Sequence, residues 1–417
     1  MLIIGLQAIL ASATFNSEVI PAGVPDEIQQ YLALLGWLLL IALSYRLPRV
    51  LWLSAGPETV SLVAFYAFAA SSILWSNHSP ASLLKGLVLA ITTFGAYRVA
   101  VTVPLEAIAR STLAGYAILV ILCLLLAIVV PDIGIDQGWM HKGQWRGVFD
   151  SKQSLAVSAG ILLLFASHYA LTRRARPWAQ LAFCAGLAAI AASGSRGGAA
   201  FAAAGVAALL LIRRFRAAAA ASAFGPLVLT ILALLMIVDF ARSDRDYLTV
   251  FDTDIDLTER TFIWRHALQH FTSPLIGSGL NSFWSDPRLS DIFLRRHGWV
   301  LDNFHSGYIT ILIETGFIGL ALFVTAQLFL AMKLLRIALT RALPLDACAL
   351  IVAYAWMMFI INFTETLFLR STNFPSTLLL VLMFKACVLL PRMQETGPAR
   401  GVPTTWPARP GTVFDKG

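Results

Sequence analysis

Twelve apolar runs dominate the sequence and leave it few possible folds. They lie near 2–15, 31–45, 58–75, 83–103, 111–130, 154–171, 178–194, 198–212, 219–240, 306–331, 346–362 and 374–390. A helix that crosses the hydrocarbon of a bilayer needs about 20 mostly apolar residues. The expectation is an all-α polytopic membrane protein of about twelve transmembrane helices. Composition agrees, with 58% hydrophobic and 13% charged residues against about 25% charged in soluble proteins. This excludes an ordinary soluble enzyme and a disordered chain. It also excludes a nucleic-acid binder despite the formal charge of +8, because in a membrane protein such an excess reflects cytoplasmic loops. Cys123, Cys184, Cys348 and Cys387 all fall in apolar runs, which argues against a disulfide framework and a cysteine metal site.

Short basic loops orient the chain. Arg46 and Arg49 follow the second run, and Arg110 precedes the fifth. Arg173, Arg174 and Arg176 follow the sixth, Arg213, Arg214 and Arg216 the eighth, and Lys333, Arg336 and Arg341 the tenth. The short loops near 16–30 and 76–81 contain no Lys or Arg. The positive-inside rule then places both termini in the cytoplasm. A membrane domain over 1–390 is expected, followed by a disordered cytoplasmic tail over 391–417, which is rich in Pro and polar residues. Ala11-Ser12-Ala13 resembles a signal-peptidase site, but no Lys or Arg precedes it, so a retained first helix is expected. No repeat suggests an inverted-repeat transporter. The Ala- and Gly-crowded stretch from Ala188 to Ala221 reads as a tight helical hairpin, since small residues let helices approach closely.

The orientation puts one long loop, about 241–304 and between the ninth and tenth helices, outside the cytoplasm. Its cations are all arginines: Arg242, Arg245, Arg260, Arg265, Arg288, Arg295 and Arg296. Guanidinium grips phosphate or carboxylate through two parallel hydrogen bonds, whereas lysine is a point charge. Nine carboxylates share the loop, so a solvated, salt-bridged surface is the plain alternative. Asp256 and Glu259 have capping-box spacing and mark a helix start. Ile263, Trp264, Ala267, Leu268 and Phe271 share its apolar face. Arg260 projects onto that face in the first turn, where a cation opposes the helix dipole. An anion must meet it: either a loop carboxylate or a lipid-linked phosphate. Arg265 falls on the polar side, solvated or part of the same anion site.

His266 and His270 have the i,i+4 spacing of a zinc pair, but the adjacent Glu and a third ligand are missing. The run Asp252-Thr-Asp254-Ile-Asp256 lacks the glycine and distal glutamate of a calcium loop. No metal site is expected. His305 lies where the long loop meets the tenth helix. It is either structural or a base that takes a proton from an acceptor hydroxyl. Glu314 is an intramembrane carboxylate deeper in that helix, a functional candidate unless neighbouring helices bond it. The outer segments add Arg146 and Lys152 in Arg146-Gly-Val-Phe-Asp-Ser-Lys152. Arg196 stands at the tip Ser193-Gly-Ser-Arg196-Gly-Gly198, as an inward anion ligand or a helix-end cap. Glu365 and Arg370 form a further outer pair that could bridge each other.

In order along the chain, these motifs resemble the O-antigen ligase and polysaccharide polymerase superfamily, particularly its exopolysaccharide-polymerase branch. The resemblance rests on Arg146-Gly-Val-Phe-Asp-Ser-Lys152, Ser195-Arg196-Gly197, Leu257-Thr-Glu-Arg260-Thr-Phe-Ile-Trp264 and Pro274-Leu-Ile-Gly277-Ser-Gly279. It continues through His305-Ser-Gly-Tyr308, Glu314-Thr-Gly316 and Asn362-Phe-Thr-Glu365. It implies a membrane glycosyltransferase of the bacterial inner membrane, active on the periplasmic or outer face. Such enzymes pass a glycan from an undecaprenyl-pyrophosphate carrier to an acceptor glycan or lipid, without metal, cofactor or nucleotide sugar. His305 then matches the catalytic histidine, and Arg196, Arg260 and Arg265 match the pyrophosphate-binding arginines. Arg146, Lys152, Glu314 and Glu365 join the expected substrate-binding set. Gln153 departs from the family, which usually has Asn after the Lys.

Polymerisation of exopolysaccharide or O-antigen repeat units is the leading expectation. Ligation to a lipid core and protein O-glycosylation share the same site and differ only in acceptor. A lipid-linked glycan flippase would instead line a central cavity with charges and pair its broken helices. The clustering of ionisable residues toward one face favours surface chemistry.

Overall fold

The computed structural model describes residues 2–12, 15, 28–46, 56–138, 141–171, 177–242, 247–250, 253–256, 260–298, 301–340 and 344–388. The expected tail at 391–417 lies outside the described residues, as do Arg49, Arg173, Arg174, Arg176, Arg245, Glu259 and Arg341. The helices are α1 (Leu2–Leu10), α2 (Ile28–Ser44), α3 (Pro57–Ala70), α4 (Ser79–Thr102), α5 (Leu105–Val129), α6 (Pro131–Gly134), α7 (Lys152–Ala170), α8 (Pro177–Ser193) and α9 (Arg196–Arg214). They continue as α10 (Arg216–Ser222), α11 (Gly225–Arg242), α12 (Arg260–Gln269), α13 (Ser282–Ser285), α14 (Pro287–His297), α15 (Gly307–Thr340), α16 (Leu345–Ile361) and α17 (Phe374–Val388).

Each expected apolar run forms helix among the described residues, the first only as far as Leu10, and the chain is an all-α polytopic membrane protein. Among the described residues seven helical segments are long and apolar enough to cross a bilayer, and α2, α8, α16 and α17 are shorter apolar helices. α1 has only nine residues, yet it packs into the bundle. Ile4 and Ala8 are buried, and Gln7 Nε2 donates to the Ala33 carbonyl of α2 (2.8 Å). Exposed leucines and isoleucines along α2, α5 and α11 form the apolar surface that lipid requires.

Two local expectations change. The small residues of α8 and α9 do not close those helices on each other. α8 packs chiefly on α7, and α9 on α16 and α7. Gly186 faces Leu163 of α7, and Gly205 faces Met357 of α16. Small residues allow close approach but do not choose the partner. The long segment is also more ordered than a loop. It holds an antiparallel pair, β1 (Tyr247–Val250) with β2 (Thr253–Asp256), before α12, α13 and α14. Asp256 therefore ends a strand, whereas capping-box spacing had placed it at a helix start. α12 begins at Arg260.

α12 and α14 share an aromatic core. His266 is buried, stacks on Trp284 at 5.8 Å and meets Phe293 edge-on at 5.4 Å. Its Nε2 lies 3.1 Å from the Leu289 carbonyl. Burial, with help from His270, lowers the His266 pKa from 6.5 to about 4.

α15 is two helices placed end to end. At Gly316 the backbone turns to φ 65°, ψ −168°, a conformation that side chains resist. A break at membrane depth orphans amides and carbonyls that hydrocarbon cannot satisfy. The Pro274–Gly279 loop supplies the partners. Phe317 and Ile318 N–H donate to the carbonyls of Pro274 (2.8 Å) and Leu275 (3.0 Å). Ser278 and Gly279 N–H donate to those of Ile313 (2.9 Å) and Glu314 (3.0 Å). Trp75 Nε1 donates to the Ile276 carbonyl (2.8 Å), and Ser82 Oγ to that of Leu280 (2.7 Å). The segment before α15 is thus clamped onto α3, α4 and α15.

The far end of the bundle is held by cations at helix C-termini. Lys385 Nζ donates to the Ala100 and Val103 carbonyls, both at 2.6 Å. Arg98 bonds Ser44 through Oγ (2.9 Å) and carbonyl (2.8 Å). Arg213 bonds the carbonyls of His168 and Leu171. Lys333 of α15 and Glu58 of α3 pair at 2.7 Å. Positive charge is favoured at helix C-termini.

Two outcomes are expected. In Gly316→Ala a methyl group would sit 2.5 Å from the Gly277 amide nitrogen and the Leu275 carbonyl, costing about 3 kcal/mol or more. Gly298→Ala, at φ 83° in open space, should cost only about 1 kcal/mol. Equal losses of thermal stability in detergent would contradict the clamp. A histidine buried neutral must charge as the chain unfolds. Stability contributed by His266 is complete above pH 6.5 and lost as pH falls toward about 4, on the order of 3 kcal/mol. Tryptophan-detected melting between pH 7 and 4 should show this loss, and His266→Phe should flatten it.

Candidate active site

The His305 strap is built by main-chain hydrogen bonds between two turns. Gly307 N–H donates to the carbonyls of Asn362 (2.9 Å) and Glu365 (3.1 Å). Ser306 N–H donates to Thr366 Oγ1 (3.1 Å). Asn362 Oδ1 accepts from the amides of Leu367 and Phe368, each at 2.9 Å. Trp264 Nε1 donates to the Phe304 carbonyl (2.8 Å), which fixes α12 beside the same strap. His305 itself has φ 48°, and its N–H donates to Asn303 Oδ1 (2.9 Å). A bulky residue with positive φ is uncommon and held only by strong surroundings.

Glu365 is the hub. Its Oε1 accepts from Arg260 Nη2 at 2.8 Å, and its Oε2 lies 3.8 Å from His305 Nδ1. One carboxylate thereby holds the guanidinium and the imidazole side by side. The side chains of Arg260, Glu365 and His305 are 18%, 22% and 33% exposed, so the cluster is sheltered yet reachable. With Nδ1 toward a carboxylate, Nε2 is the nitrogen that can exchange a proton with a substrate. Arg260, on the apolar face of α12, is met by a protein carboxylate, the plain alternative of the two. That anion comes from the turn after α16, and Glu365 does not bridge Arg370. Arg370 instead lies 4.0 Å from Asp302.

The remaining expected residues are more dispersed. Arg265 is half-buried on α12 with its guanidinium over the Phe240 ring (5.5 Å), not simply solvated. Arg146 Nε donates to the Ile133 carbonyl (3.0 Å), tying its loop to α6. Lys152 opens α7, whose N-cap is Ser151. Arg196 is exposed in the first turn of α9, and Ser195 provides the helix cap. Neither a hydrogen bond nor an ion pair joins Arg196 to His305 among the described residues. Glu314 is buried and accepts from the Asn281 amide (3.0 Å), at the helix break rather than from a neighbouring span. His266 and His270 pack ring to ring at 4.3 Å, and no group of three metal-type ligands occurs among the described residues.

Beside the strap opens a cleft whose walls include Asn303, Phe304, Thr366, Glu314, Lys85 and Arg370. Lys85 was not among the expected site residues. Its signal was present: a lone lysine within an apolar run is costly unless it faces a polar cavity.

Residues 181–324 match the O-antigen ligase family profile. That interval contains Arg196, Arg260, Arg265, His305, Glu314 and the Gly316 break. The chain is also 27% identical over 304 residues to the exopolysaccharide production protein ExoQ of Rhizobium meliloti (strain 1021). The match covers 69% of this chain and 66% of that protein, a little under two thirds of its length. Sequence profile, helical architecture and relative agree, and the resemblance to the O-antigen ligase and polysaccharide polymerase superfamily is borne out.

Proposed function

We propose that the chain is a membrane glycosyltransferase that moves a glycan from an undecaprenyl-pyrophosphate carrier to a hydroxyl acceptor. The His305–Glu365–Arg260 cluster carries this reading. The acceptor oxygen attacks the anomeric carbon as its proton passes to His305 Nε2. The bond from that carbon to the diphosphate oxygen breaks, and its electron pair leaves with the diphosphate. Glu365 orients the imidazole and stabilises its charged form. Arg260, with Arg265 and Arg196, offers donors to the negative charge that develops on the leaving group. Arg146, Lys152 and Glu314 contribute to binding the substrates. Single displacement inverts the anomeric configuration. The step draws on no metal or cofactor.

The site lies at the end of the bundle away from the Lys385, Arg213 and Lys333 cations. Those cations suit a cytoplasmic face. This supports a multi-pass protein of the bacterial inner membrane with its active site on the periplasmic or outer side. The role in the name of the matched relative, exopolysaccharide production, favours polymerisation over ligation.

His305→Ala should reduce polymer formation in membranes by about 100-fold or more. Normal polymer yield and length from protein expressed at the wild-type level would remove His305 from the mechanism. Arg260→Lys keeps the charge but loses planar two-point bonding, and most transfer activity should be lost with it. Retention of the anomeric configuration in the product linkage would exclude single displacement.

A further inference from the structure

The cleft beside His305 holds two cations that the proposed reaction does not use. Lys85 stands about 9 Å inside α4 from its first residue, half-buried, and makes no hydrogen bond or ion pair among the described residues. Arg370 is likewise half-buried, and its recorded partner is Asp302 at 4.0 Å, a carboxylate that is 79% exposed. A desolvated cation without a close anion costs free energy. Both side chains line the same space. Glu314 and Asp302 line it too, and with all four groups ionised the charges cancel. A diphosphate, carrying two or three negative charges, would meet both carboxylates as well as the cations. One carboxylate ringed by hydroxyls fits better. The carboxylate pairs with Lys85 and Arg370, while the hydroxyls donate to Glu314 and Asp302 and exchange bonds with Asn303 and Thr366.

We propose that this cleft is a subsite for a sugar that bears a carboxylate, set beside His305 to hold part of the glycan during transfer. The idea deepens the glycosyl-transfer reading by naming the class of sugar, and it rests on that reading only for the ligand being a glycan. Binding is measured without turnover, so the two can fail separately. The probes are glucuronate, glucose and inorganic pyrophosphate, each at millimolar concentration with the purified protein in detergent. Saturation-transfer NMR reports the two sugars, and phosphorus line broadening reports pyrophosphate. Glucuronate should bind wild-type and His305→Ala protein and exceed glucose several-fold in signal. Lys85→Gln and Arg370→Gln should each remove that preference, while Lys85→Arg retains it. Each variant is compared only where it elutes and melts as the wild type does. Undiminished glucuronate preference in Lys85→Gln and Arg370→Gln would overturn the proposal. So would equal signals from glucose and glucuronate in the wild type. Loss of pyrophosphate binding alone in these variants would make the cleft a headgroup site and would also overturn it.

Discussion

A helix cannot break inside hydrocarbon unless something else completes its hydrogen bonds, and the break in α15 at Gly316 organises this molecule. The Pro274–Gly279 loop gives that break four main-chain hydrogen bonds. In doing so it fixes a segment that would otherwise hang from two helix ends. Asn281 then reaches Glu314, and α12 is carried to the head of α15. There Trp264 grips the Phe304 carbonyl and Arg260 reaches Glu365. The candidate site is therefore assembled on rigid helices although much of it comes from a connecting segment.

The two ends of the bundle use the same residue types differently. Away from His305, Lys385, Arg98 and Arg213 spend their donors on helix C-terminal carbonyls. Those contacts satisfy main-chain groups that the membrane would otherwise leave orphaned. Near His305, Glu365 is divided between Arg260 and the imidazole. Shared charge of this kind keeps an imidazole and a guanidinium close without quenching either in a dry pair. One end leaves its charged groups partly exposed, and the other pairs them completely.

Much of this was legible in the sequence. Apolar length alone located the helices, because the bilayer imposes one dimension on all of them. His305, Arg260 and Glu365 stood out as ionisable residues at helix ends, and Gly316 and Pro274-Leu-Ile-Gly277 as motif glycines and proline. Their mutual arrangement was hidden, because it depends on contacts across more than a hundred residues, such as Arg260 with Glu365. Glu365 and Arg370 looked like partners because they are five apart, yet the turn between them sends each elsewhere. The small residues of α8 and α9 signalled close packing without naming the partner. Lys85 stood out as a lone lysine in an apolar run, but the cleft that it faces is formed by Glu314, Asp302 and Arg370 from distant parts of the chain and was hidden.

The central assignment is that Arg260, Glu365 and His305 form one active centre. The most direct measurement is a cryo-EM map of the full chain in a lipid nanodisc with undecaprenyl diphosphate. The expected density places the diphosphate within about 3 Å of the Arg260 guanidinium, on the side reached by His305 Nε2. Diphosphate density seated out of reach of both residues would contradict the assignment.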